Sequence, residues 1–163
     1  MQTLRWVLIA NVSALIVVYV LGARTALSEE PVAAQARAGE AVRFMAVHVF
    51  IDSHEAPLAA YQFDLIGRGS DVKIVGLEGG EHPAFADAPY YDSKAMMGDR
   101  VIAAAFSTKS AGELPAGRVR VATVHLQVEG SADPQFEVKL TTAANTDGEK
   151  IAADIRIQKG IEQ

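Results

Sequence analysis

Residues 58–66 read LAAYQFDLI, and their alternation decides the fold class. Tyr61, Phe63 and Leu65 recur with a period of two, and Ala60, Gln62 and Asp64 fall between them. Successive side chains of an extended chain point to opposite faces, so this pattern is a strand with one face buried. Turn chemistry brackets it: Asp52-Ser53-His54-Glu55-Ala56-Pro57 before, Gly67-Arg68-Gly69-Ser70-Asp71 after;.

The same grammar extends in both directions. Ala41–Ile51, AVRFMAVHVFI, is apolar on both faces in places, which predicts a central strand covered on both sides;. Val72–Leu77 is a short strand stopped by Gly79-Gly80. Residues 81–99 hold two prolines and little periodicity, which predicts a long loop with a short edge strand near Tyr90-Tyr91. Arg100–Phe106, RVIAAAF, is a strand whose bulkier set, Ile102, Ala104 and Phe106, is expected to face inward. Arg118–Val128, RVRVATVHLQV, changes apolar phase near Ala122, as a β-bulge would make it do;. Gln135–Thr142 places Phe136, Val138 and Leu140 inward, and Ile151, Ala153, Ile155 and Ile157 alternate in a closing strand. No amphipathic helix of useful length follows residue 40. Short strands and turns at this spacing predict an all-β sandwich or jelly roll.

Ahead of the strands lies Trp6–Ala23, WVLIANVSALIVVYVLGA, uncharged and flanked by Arg5 and Arg24. Roughly 18 helical residues span about 27 Å, close to the thickness of a bilayer's hydrocarbon core. Two readings stay open. The segment is a signal anchor, which its length favours, or a signal peptide cut after Ala26-Leu27-Ser28;. Either places the β domain outside the cytoplasm, at a membrane or cell surface, or secreted if cut. The expected organisation is a transmembrane helix over 1–24, an Ala-rich linker over 25–40 with room for a short first strand at its end, and a β domain over 41–160.

Composition narrows the function. The formal net charge is -5 and no run of Lys or Arg occurs, so the footprint of a nucleic-acid binder is missing;. Cysteine is absent, which removes disulfides, thiolate metal sites and Cys nucleophiles together;. The four histidines are scattered and form no compact ligand pair, so no metal site and no cofactor are expected;. Glu78, Glu81, Asp87, Asp92 and Asp99 make the 78–99 region acidic without EF-hand spacing; a solvated loop is expected there, with calcium the alternative;. No nucleophile elbow or phosphate-cradling glycine loop occurs, and no pair of carboxylates stands out, so the chain reads as a non-catalytic protein. Tyr90, Tyr91 and Phe85 either form a flat aromatic platform for a sugar or a protein, or fold back over the core;.

Five segments taken in order resemble the cohesin domain family: AGEAVRFMAVHV, LAAYQFDL, VKIVGLEGGE, RVIAAAFS and LPAGRVRVATVHLQVEG. The resemblance covers roughly residues 32–158. It implies a flattened jelly roll of about nine strands that binds another protein, dockerin modules being the best-known partners. It further implies a binding sheet built from the strands at 58–66, 100–106 and 135–142 with an edge strand near 88–93. The outward residues of that sheet would be Ala60, Gln62, Asp64, Ala103, Ala105, Glu137 and Lys139. Dockerin-binding cohesins typically carry an Asn and an Asp where this chain has Ala60 and Gln62, so the usual dockerin contacts are not implied. Three functions are therefore carried forward: a membrane-tethered protein-binding module, a carbohydrate-binding module using Tyr90 and Tyr91 on a polysaccharide, and a structural subunit of an envelope complex whose helix makes contacts through Asn11 and Ser13.

Overall fold

The computed structural model describes residues 41–69 and 71–160. The expected membrane helix, the linker and any first strand within it lie outside those residues. Among the described residues there are eight strands: β1 (Val42–Asp52), β2 (Ala60–Arg68), β3 (Asp71–Gly79), β4 (Tyr90–Tyr91), β5 (Arg100–Phe106), β6 (Arg118–Glu129), β7 (Gln135–Ala144) and β8 (Asp154–Lys159). They form two antiparallel sheets, ordered β3-β6-β1-β8 and β4-β5-β2-β7. The chain changes sheet at every connection except β4 to β5. The strands grouped above as a binding sheet thus lie together in the second sheet.

One core fills the space between the sheets. Met45, Val47, Val49 and Ile51 of β1 and Val124, Leu126 and Val128 of β6 meet Tyr61, Phe63 and Leu65 of β2 and Val101 and Ala103 of β5. Phe136, Val138 and Leu140 of β7 and Ile155 and Ile157 of β8 pack against its margin. At about 25 cal/mol per Å² of apolar surface removed from water, this shared face is the main favourable contribution to folding.

The phase change in β6 is a bulge. Val49 pairs with Ala122 and Phe50 with Arg120, so Val121 is the extra residue. Val119 and Val121 point inward before the bulge, and Ala122, Val124 and Leu126 after it, all buried. The Tyr61 hydroxyl reaches across the core and donates to the Val121 carbonyl at 2.9 Å. Burial pushes the Tyr61 hydroxyl pKa well above the ordinary phenol value;.

β1 departs from expectation. It is central in hydrogen bonding, between β6 and β8, yet among the described residues only one of its faces packs against another layer. Val42 and Phe44 are exposed on the other, and Phe50 lies there beneath the Arg118 guanidinium, 4.4 Å from the ring centroid. A two-layer architecture has no third layer to cover that face, so its apolar residues meet water or a cation instead.

The 81–99 loop is tied to the sandwich by backbone. A Cβ on Gly79 would lie 2.1 Å from the Ala86 carbonyl oxygen, and one on Gly80 would lie 2.2 Å from that of Arg120, so glycine is required at both;. Gly80 N–H donates to the Phe85 carbonyl at 2.7 Å and Glu81 N–H to the Arg120 carbonyl at 3.0 Å. Phe85, only 3% exposed, packs edge-on against Tyr61 with ring centroids 5.1 Å apart. It belongs to the core and not to an aromatic platform.

Candidate binding face

The outer face of β4-β5-β2-β7 is built in cross-strand rows. Tyr90, Ala104, Gln62 and Thr142 form one row; Phe106 and Ala60 lie on one side of it, and Ile102, Asp64 and Lys139 on the other. Arg100, Ile66 and Glu137 make the row beyond. The outer face therefore holds Ala60, Gln62, Asp64, Glu137, Lys139 and Tyr90.

Three expected residues, Ala103, Ala105 and Tyr91, do not lie on it. Ala103 is 0% exposed and Ala105 packs against the core. The phase of β5 is the reverse of the one expected: Val101, Ala103 and Ala105 point inward, while Ile102, Ala104 and Phe106 point outward. The reason is volume. Ala103 pairs with Phe63 and Ala105 with Tyr61, so the smallest side chains of β5 stand opposite the largest of β2. A close-packed interior interdigitates large with small, and a second bulky row there would overfill it. Tyr91, paired with Ala103, falls on the opposite side of β4 from Tyr90 and is 38% exposed at the sheet edge.

The reversal puts large apolar groups in water. Tyr90 is 71%, Phe106 63% and Ile102 45% exposed. The rings of Tyr90 and Phe106 are nearly parallel, 10° apart, with centroids 6.1 Å apart. Beside them is a shallow cup of about 240 Å³, lined by Ala60, Gln62, Ala104, Thr142 and the two rings, with no charged residue in its wall. Phe106, Ile102, Arg100 and Thr142 were not among the expected site residues. The one signal for them is Phe106 closing its strand directly after three alanines.

The far half of the face is charged and largely self-paired. Arg100 donates from Nε to Asp64 Oδ1 at 3.0 Å and from Nη2 to Oδ2 at 2.7 Å, a bidentate pair;. Asp64 in turn holds the Arg100 pKa above its ordinary value. Arg68 donates to Glu137 Oε2 through Nε and Nη2 at 3.2 and 3.1 Å.

The remaining titratable groups are dispersed. Among the described residues no three His, Asp or Glu side chains converge as a metal-ligand set. His48 faces Thr123 Oγ1 at 3.1 Å, His125 faces Glu78 at 3.1 Å, and His54 sits between Asp52 and Asp154 at 3.7 Å from each. The acidic loop divides likewise: Glu81 accepts from the Arg120 backbone N–H at 3.0 Å, and Asp92 accepts from the Lys94 N–H at 2.9 Å.

Comparison with protein-family models, with curated proteins and with solved structures returned no match.

Proposed function

We propose that this chain is a membrane-tethered, extracytoplasmic, non-catalytic binding module, a cohesin-like jelly roll that captures a protein partner on the outer face of β4-β5-β2-β7. The observation that carries the reading is the exposure of Phe106 and Tyr90 beside a floor of alanines. Aromatic side chains are enriched among the anchors of protein interfaces, and a floor of small side chains leaves room beside them for a partner's group. The tether rests on the apolar run Trp6–Ala23, and the kind of module on the segments that resemble cohesins.

The test is site-specific photocrosslinking in native membranes. A photoreactive phenylalanine analogue at position 106 should yield a discrete adduct, and the same analogue at Phe44 on the opposite sheet should not. Equal yields from both positions, or none from 106, would overturn the reading. Protease protection of the full chain in sealed vesicles checks the placement of the β domain, and N-terminal sequencing separates a chain starting at Met1 from one starting at Glu29.

A second reading, a carbohydrate-binding module, is favoured by the near-parallel Tyr90 and Phe106 rings next to the amide of Gln62 and the hydroxyl of Thr142. Sugars stack on such rings and bond to such polar groups. Glycan-array binding that is lost in Tyr90→Ala/Phe106→Ala would establish it; a blank array would remove it.

A further inference from the structure

Resting on the protein-binding reading above, we infer the chemistry of the partner: it seats one large uncharged side chain in the cup beside Phe106 and presents a carboxylate to Lys139. The inference comes from the charges of the face. Its strands carry five charged side chains, Asp64, Arg68, Arg100, Glu137 and Lys139, and Lys150, bridged to Ala144, stands at its margin beyond Ala60. Four are satisfied in two pairs, Asp64 with Arg100 and Arg68 with Glu137. Lys139 stands directly across from Asp64 in the β2–β7 ladder, but both carboxylate oxygens of Asp64 are turned to Arg100 on the other side. No carboxylate lies within ion-pair distance of Lys139 among the described residues.

Among the described residues the strands of this face thus carry one positive charge in excess, and Lys150 adds a second at the margin, on a chain whose net charge is -5. The Lys139 charge sits at a defined place. Asp64 and Lys139 occupy the row two residues along β2 from Gln62, which lines the cup, a separation of roughly 7 Å along an extended strand. The cup itself is uncharged, so it discriminates against an ionic group, and the lysine beside it favours an acidic one;. A partner that placed Lys or Arg there would meet an unpaired like charge, a repulsive element that sharpens selection.

The experiment selects a displayed random-peptide library against the full chain held in lipid nanodiscs. Enriched peptides are expected to combine a large apolar residue with Asp or Glu. Their binding should fall at least tenfold in Lys139→Glu, weaken as salt is raised, and survive Arg156→Glu, a charge reversal on β8 of the other sheet. Selection against Lys139→Glu should enrich Lys or Arg in place of the acid. Peptides that require Phe106 but show no acidic bias and tolerate Lys139→Glu would overturn this inference and leave the protein-binding reading standing. No enrichment, or enrichment indifferent to Phe106→Ala, would overturn both.

Discussion

Ala103 lies directly across from Phe63 in the β2–β5 ladder, and that pairing sets the character of the opposite face. Because the core side of β5 is filled from β2 by Tyr61 and Phe63, β5 contributes small residues inward and is left with Ile102 and Phe106 outward.

Ala103→Leu should therefore be poorly tolerated. The added methylenes have no room beside Phe63 and would force shifts costing about 1–3 kcal/mol. Urea denaturation should show a lower midpoint with an unchanged slope.

Phe106→Ala should do the reverse. An exposed ring contributes little to folding, and loss of its contact with Tyr90 costs on the order of 1 kcal/mol or less. Adducts and selected ligands should nevertheless be lost. A double-mutant cycle with Tyr90→Ala measures how far the two rings are coupled in the free protein.

At Gly79 the backbone itself is the obstacle. Gly79→Ala would drive a Cβ into the Ala86 carbonyl, an atom that cannot swing aside, and should cost more than about 2 kcal/mol;. Gly112→Ala, where nothing lies within 4 Å, is the control and should be neutral or stabilising by about 0.4–1 kcal/mol;. Thermal melts of the two variants separate crowding from generic glycine effects.

The pair Lys73–Glu129, cross-linking β3 and β6, gives a pH signature. Its hydrogen bond to Lys73 holds the Glu129 carboxyl below the ordinary carboxylate range, and the same bond holds Lys73 above the ordinary amine range. A lowered acid pKa stabilises the fold above the unfolded-state value, and that contribution is lost as pH falls through the folded-state value; a raised amine pKa does so below the unfolded-state value and is lost as pH rises through the folded one. The difference in melting temperature between wild type and Glu129→Gln should be widest near neutrality. It should close at both the acidic and the strongly basic ends. A difference that does not change with pH would contradict the assignment.

How much of this could be read from residue order depends on contrast. In β2 the alternation of Tyr61, Phe63 and Leu65 with Gln62 and Asp64 leaves one possible phase, and the structure has it. The bulge in β6 was legible because Val119 and Val121 give way to Val124 and Leu126, a change of parity that an unbroken strand could not accommodate. In β5 all six residues after Arg100 are apolar, so either phase would satisfy the hydrophobic effect. The choice lies in the size of Tyr61 and Phe63, which reach β5 only once the ladder is formed. Ala103, Ala105 and Phe106 were misplaced for that single reason. Phe85 gives no periodic signal at all; it is drawn inward by Tyr61 from a loop shaped by Gly79 and Gly80.

If the face binds as proposed, the anchoring of that loop also bears on how quickly a ligand can be taken up. Tyr90 follows the buried Pro89 and pairs with Ala104, and its segment is fastened upstream by Phe85 in the core and by two backbone contacts that admit only glycine. The ordering entropy of the segment is therefore spent in folding and not at the moment of encounter. Such a surface is met as a finished shape, and association can proceed as rigid-body docking, limited by orientation and not by rearrangement of the receiving side.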